Sequence, residues 1–183
     1  MEAQKKFGRS ERVSAWAAGN RTIFSYHLNL STKILLHEMA HEIHNEYIRY
    51  RHSPIWWKEG IAMFSSLSES EIRGRVQQAR FRVINNTHIP LTQLIFFYEG
   101  EEECDLVYNV GLSVVVFLLN EYGASSFTAF NKAMREGKNF ESALSSVYDI
   151  RNISKLNDKW EEALQDWKTW ESMIKNLPKM LEE

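Results

Sequence analysis

A chain of 183 residues, 44% of them hydrophobic and 13% aromatic, is long enough to close a sizeable core and too apolar to stay disordered. Its 22 basic and 24 acidic residues nearly cancel, and no Lys/Arg cluster has the density of a nucleic-acid surface, so nucleic acid is excluded as a partner. The single cysteine, Cys104, excludes an intrachain disulfide and any multi-cysteine metal site.

The chain opens with MEAQKKFGRSERVSAW, which lacks the apolar core of a signal peptide. RTIFSYHLNL (21–30) alternates and is rich in β-branched and aromatic residues, so a strand is expected there. Ser31 then serves as N-cap of a helix running to about Arg51, and Pro54 separates it from a second helix, IWWKEGIAMFSSL (55–67). Ser68 with Glu71 spells a capping box that opens a third helix to about Ile84. The arginines of RGRVQQARFR (73–82) are scattered around that helix, as on a solvated face.

Pro90 starts a short helix, LTQLIFFY, closed by Gly100. A long apolar helix from about Asp105 stops at Tyr122-Gly123, where Gly supplies the usual C-cap. Its most apolar run, VGLSVVVFLL (110–119), is far short of the roughly 20 residues a spanning helix needs. No transmembrane segment is expected, and the chain reads as soluble, cytoplasmic if Met1 is its natural start. SSFTAFNKAMRE and FESALSSVYD form two more helices around Gly137. The last helix runs from about Ser154 toward Lys175, with Trp160, Leu164 and Trp167 as one buried stripe.

The chemistry concentrates in ILLHEMAHEIHNEY (34–47). His37, Glu38 and His41 spell HExxH on the first helix. Histidines four residues apart lie about 40° apart around a helix and one turn apart along it, so both rings can converge on one ion, with Glu38 beside them to act on water. Burying two histidines and a glutamate among apolar neighbours without a partner would be costly, and a metal removes that cost.

His44 shares the face but lies about 10 Å along the axis from His37, too far for both to reach one ion. It is expected to be a polar residue at the surface, or one that supports the ligands from behind. The third ligand is instead expected at Glu59, which follows His41 after seventeen intervening residues in PIWWKEGIAMF, brought back over the HEMAH face by the helical turn. Two imidazoles and one carboxylate leave a fourth position for water, the composition of a catalytic zinc site with one Zn²⁺ per chain.

HEMAH followed by WWKEGIA resembles the gluzincin metallopeptidases of the peptidase MA-like superfamily, the group that includes aminopeptidase N. YNVG (108–111) is similar to the family's Y-x-x-G, which implies that Tyr108 stabilises the tetrahedral intermediate. The resemblance covers roughly residues 15 to 165. It implies a zinc-dependent hydrolysis of peptide or protein substrates with Glu38 as general base.

It also implies an α+β, mainly α, zincin-like catalytic domain over 1–183. Residues 1–30 would form a reduced β element, 31–67 the zinc-site helices and 68–183 a C-terminal helical bundle. Two departures stand out. The G-x-M-E-N motif, whose glutamate anchors a substrate's free amine, is matched here by WAAGNRTIFSY, which has no acidic residue. Only about thirty residues precede the zinc helix, so a partner or upstream segment is expected to complete the sheet. A zincin-like binding module with little turnover is the rival reading.

Overall fold

In the computed structural model the described residues are 15–17, 23–25, 31–48, 53–94 and 101–182. The elements in chain order are strands β1 (Ala15–Ala17) and β2 (Ile23–Ser25), then helices α1 (Thr32–Ile48), α2 (Ile55–Ser66), α3 (Glu69–Ile84), α4 (Glu101–Arg135), α5 (Phe140–Tyr148), α6 (Ile153–Gln165) and α7 (Trp167–Glu182).

The expected α+β class is overturned. Everything regular among the described residues is helical except one antiparallel ladder three residues long, with Trp16 opposite Phe24, lying against α1. So short a ladder forms no layer of its own, because a strand pair needs a third strand or a packed helix to be stable. Among the described residues it leaves no larger sheet for a partner to complete. Of the strand expected over 21–30, Ile23–Ser25 is strand and the rest lies outside the described residues.

Local signals explain the helix boundaries. Ser68 donates its backbone N–H to the Glu71 carboxylate at 3.0 Å, closing the expected capping box at the start of α3, and Lys33 of α1 pairs with the same carboxylate. Gly123 breaks α4 with φ at 76° and ψ at 166°, a region that essentially only glycine occupies and that costs any other residue about 1–3 kcal/mol. The expected helix end is therefore real, although a second helical stretch follows directly. Residues 91–94 form a turn in place of the expected helix, whose remainder lies outside the described residues.

One expectation fails instructively at the C-terminus. The single last helix is two, broken at Asp166, where the backbone is extended. Asp166 Oδ2 accepts the Thr169 N–H at 2.7 Å and so caps α7. The break takes Trp167 off the buried stripe: it is 61% exposed, and Trp170 is buried in its place, with the Arg80 guanidinium over both rings. Further along α7, Pro178 can give no N–H to the Ile174 carbonyl, which accepts from Arg73 at 3.5 Å.

α4 is the axis of the core. It packs along α2 and against α3, α5 and α7. Its Val114, Val115, Val116 and Leu118 are buried, and past the kink Phe130 joins Trp56, Trp57, Phe140 and Tyr148 in an aromatic cluster. The stretch Leu106–Arg135 has the length and apolarity to cross a membrane, but 72% of its most apolar window is buried inside the protein, as in a core helix. The buried Ser113 is satisfied: its hydroxyl donates to the Val110 carbonyl and accepts the Trp160 Nε1–H at 3.0 Å.

Candidate metal centre

Two adjacent helices supply the donors. His37 and His41 stand one turn apart on α1, and Glu59 enters from the first turns of α2. His37 Nε2 lies 3.1 Å from Glu59 Oε2 and 3.1 Å from His41 Nε2, and His41 Nε2 lies 3.3 Å from the same carboxylate oxygen. Three ligands held tetrahedrally at 2.0–2.1 Å from one zinc ion would stand about 3.3 Å from each other. The triangle therefore has the size that a shared ion requires, and the group could hold one.

Electrostatics favour a cation at that point. Glu59 is buried, which pushes its carboxyl up, yet the hydrogen bonds and charges of His37 and His41 outweigh burial and hold it at about 2. Burial pushes the His41 imidazolium down, but the Glu59 hydrogen bond and the charges of Glu59 and Glu38 prevail, and its pKa is raised. A positive charge among these groups is thus stabilised whether a proton or a metal supplies it. With both imidazoles in the tautomer that leaves Nε2 unprotonated, the two ring nitrogens and the carboxylate present lone pairs that a divalent ion satisfies together and a single proton cannot.

Glu38 is buried beside the ligands on α1. The Tyr108 ring, on α4, has its centroid 6.0 Å from that of His37. The structure thus brings together all five residues singled out in the sequence: His37, Glu38, His41, Glu59 and Tyr108.

Of the two places expected for His44, the surface one fails. It is 7% exposed rather than at the surface, and its Nε2 has no hydrogen-bond partner. Burial, then the Lys58 and His41 charges, lower its pKa to about 4, so it is neutral at pH 7. The reason is geometric: it shares the inward face of α1 with His37 and His41 and is covered where α2 and α4 close on that face.

Two glycines set the distance between the site's halves. A Cβ on Gly111 would lie 1.9 Å from the Trp56 carbonyl oxygen, and one on Gly60 would lie 2.4 Å from the Gly111 carbonyl carbon. The backbones of α2 and α4 therefore touch, one residue after Glu59 and three after Tyr108. This crossing was not read from the sequence, although both glycines stand in the motifs EG and YNVG. Also missed was a clasp beside Tyr108. Arg75 and Gln78, from the run expected to be a solvated face, bond the Asn109 side chain at 3.0 and 2.9 Å.

The family model of the peptidase MA superfamily matches residues 14–166, most of the chain. The chain belongs to the peptidase MA superfamily. No curated protein and no solved structure matches it. In this peptidase MA chain the matched span contains both donor helices, the Gly60–Gly111 crossing and Tyr108, and it ends at Asp166, where α6 gives way to α7. Within that span lie the two imidazoles and the carboxylate that could hold a metal ion, and a buried glutamate next to the first histidine.

Proposed function

We propose that this chain is a zinc-dependent metallopeptidase of the gluzincin type that hydrolyses peptide bonds. The observation that carries the reading is the His37–His41–Glu59 triangle with Glu38 buried beside it. A zinc ion held there would act as a Lewis acid, polarising a peptide carbonyl and acidifying water. Glu38 accepts the proton of the attacking water and returns it to the leaving amine. The Tyr108 hydroxyl donates to the oxyanion that develops on the carbonyl oxygen. Glu59 keeps its negative charge through the neutral range, which its pKa of about 2 supports.

The zinc motifs resemble those of aminopeptidase N-type domains, but WAAGNRTIFSY offers no carboxylate for a free amine, so internal peptide bonds are the favoured substrates. One observation favours the rival reading of a binding module with little turnover: the described ladder is three residues long, and so short an edge gives an extended substrate few main-chain hydrogen bonds.

The test is incubation of the zinc-loaded protein with a diverse peptide mixture, read by mass spectrometry beside Glu38→Gln. Fragments that disappear in the variant establish the peptidase, and their ends show whether it cuts internally. A protein that holds zinc and yields no fragments is the binding module.

A further inference from the structure

Tyr108 stands one residue before an amide that is tied to a helix supplying none of the metal donors. Asn109 is buried in LVYNVGLSVVVFLL (106–119), an otherwise almost wholly apolar run of α4. Both ends of its side chain are held from α3: Oδ1 accepts from the Arg75 guanidinium at 3.0 Å, and Nδ2 donates to Gln78 Oε1 at 2.9 Å. Arg75 and Gln78 are three residues apart, so they share one face of α3 and reach the same amide. The guanidinium has no acceptor, which fixes the oxygen of Asn109 toward Arg75 and its nitrogen toward Gln78.

Apolar packing alone would join these helices. Ile72, Val76, Ala79 and Val83 form the buried stripe of α3, and α3 packs against α4. An apolar side chain in place of Asn109 would extend that contact without desolvating an amide. What the amide adds is direction. Hydrogen bonds weaken steeply off line, so a bond at each end of one group sets how α4 is turned about its axis, which ridge-into-groove contact does only loosely.

The turn of α4 matters for the neighbouring residue. Tyr108 lies about 100° round the same helix from Asn109, half-buried, with its ring centroid 6.0 Å from that of His37. A phenol oxygen stands roughly 8 Å from its helix axis, so a rotation of about 10° moves it by roughly 1.4 Å. Catalytic groups need placement within about 0.5 Å. We infer that Asn109 is a positioning residue, whose bonds to Arg75 and Gln78 set the rotation of α4 that holds Tyr108 beside His37. Its consequence for catalysis rests on the peptidase reading above, whereas the placement itself concerns only α3, α4 and Tyr108.

Asn109→Leu removes both bonds and nearly keeps the volume. Arg75 is half-buried and Gln78 exposed, so water can replace the amide and the fold should persist. On a peptide that the zinc-loaded protein cuts, kcat should fall about 10- to 100-fold, with zinc content equal and KM within about twofold. Asn109→Asp should restore most of kcat, because its carboxylate accepts from Arg75 and the Gln78 amide can turn to donate to it. In a Tyr108→Phe background, Asn109→Leu should cost less than about twofold, since no hydroxyl is left to misplace. An equal loss in that background marks a merely structural residue and overturns the proposal, as does an unchanged kcat in Asn109→Leu.

Fluorine NMR of a fluorotyrosine put in place of Tyr108 reads the placement without turnover. Its resonance should shift or split in Asn109→Leu and return in Asn109→Asp; the same single line in parent and Asn109→Leu overturns the proposal. Should Asn109→Leu fail to fold, Gln78→Ala cuts one bond from an exposed position and should move the line in the same direction, an unmoved line again overturning the proposal. A parent that cuts no peptide defeats the peptidase reading, and the fluorine result then decides the placement of Tyr108 by itself.

Discussion

The contact between Gly60 and Gly111 makes a strong prediction, because the obstacle to a side chain there is main chain. In Gly111→Ala the new Cβ would start 1.9 Å from the Trp56 carbonyl oxygen. A tolerable separation is near 3.3 Å, so α2 and α4 must part by roughly 1.4 Å, and no rotamer change can absorb this. Overpacking of this kind costs about 1–3 kcal/mol, and the upper end applies where the blocking atom is backbone. At about 2–4 °C per kcal/mol for a chain of this size, the metal-free protein should melt about 6–12 °C lower.

The displacement has a second effect. Glu59 precedes Gly60, and moving its carboxylate by roughly 1.4 Å takes it out of the 2.0–2.2 Å range of a zinc–oxygen bond. Zinc affinity should fall by about 100-fold, the loss seen when ligand placement is disturbed. Calorimetry of the metal-free protein and competition against a chromophoric chelator measure the two effects. Gly74→Ala is the control: nothing lies within 4 Å of its Cβ and it sits on the exposed side of α3, so the variant should gain about 0.5–1 kcal/mol. A Gly111→Ala protein that melts within 2 °C of the parent and binds zinc equally well would refute the close-contact reasoning.

Glu59→Gln keeps the shape but removes the anionic ligand, so zinc retention after dialysis should drop at least 100-fold, while the fold, followed by circular dichroism, persists. Tyr108→Phe should lower kcat by about 100- to 1000-fold with metal content and KM nearly unchanged; a KM effect alone would assign Tyr108 to substrate binding instead. Folding holds His44 neutral down to about 4, whereas the unfolded imidazole takes a proton near 6.5. The folded pKa is therefore depressed: the stabilisation is complete above pH 6.5 and is lost as pH falls toward 4, by roughly 3 to 3.5 kcal/mol. The difference between denaturation curves of the parent and His44→Phe across that window should show this slope, and a flat difference would show that His44 is solvated.

The donor set was legible in the sequence because its information is local. HEMAH places two candidate donors together by helical period alone, and Glu59 follows from a single turn at Pro54 that folds α2 back on α1. Packing between distant segments was not legible. His44 looked superficial because nothing near it in sequence says that α4 will cover that face. Trp167 looked buried because the stripe continues smoothly through it, and only the Asp166 cap, a competition between side chain and backbone, breaks the period. The β element was overestimated for a related reason: alternation in RTIFSYHLNL signals strand propensity, but ladder length depends on what pairs with it.

The separation of the site in sequence has a bearing on how the protein matures. His37 and Glu59 are only 22 positions apart, on consecutive helices, whereas the tyrosine whose ring stands 6.0 Å from that of His37 arrives on α4, much later in the chain. Short-range contacts close fastest, and metal binding releases folding free energy as soon as its ligands meet. The His37–Glu59 pair can thus form while the chain is still incomplete, but Tyr108 comes into place only when α4 docks on α2 through its glycine. On the proposed reading, a nascent chain would be able to capture a metal well before Tyr108 stands beside it, so metal binding and any onset of cutting would be separated in time by the order of the helices.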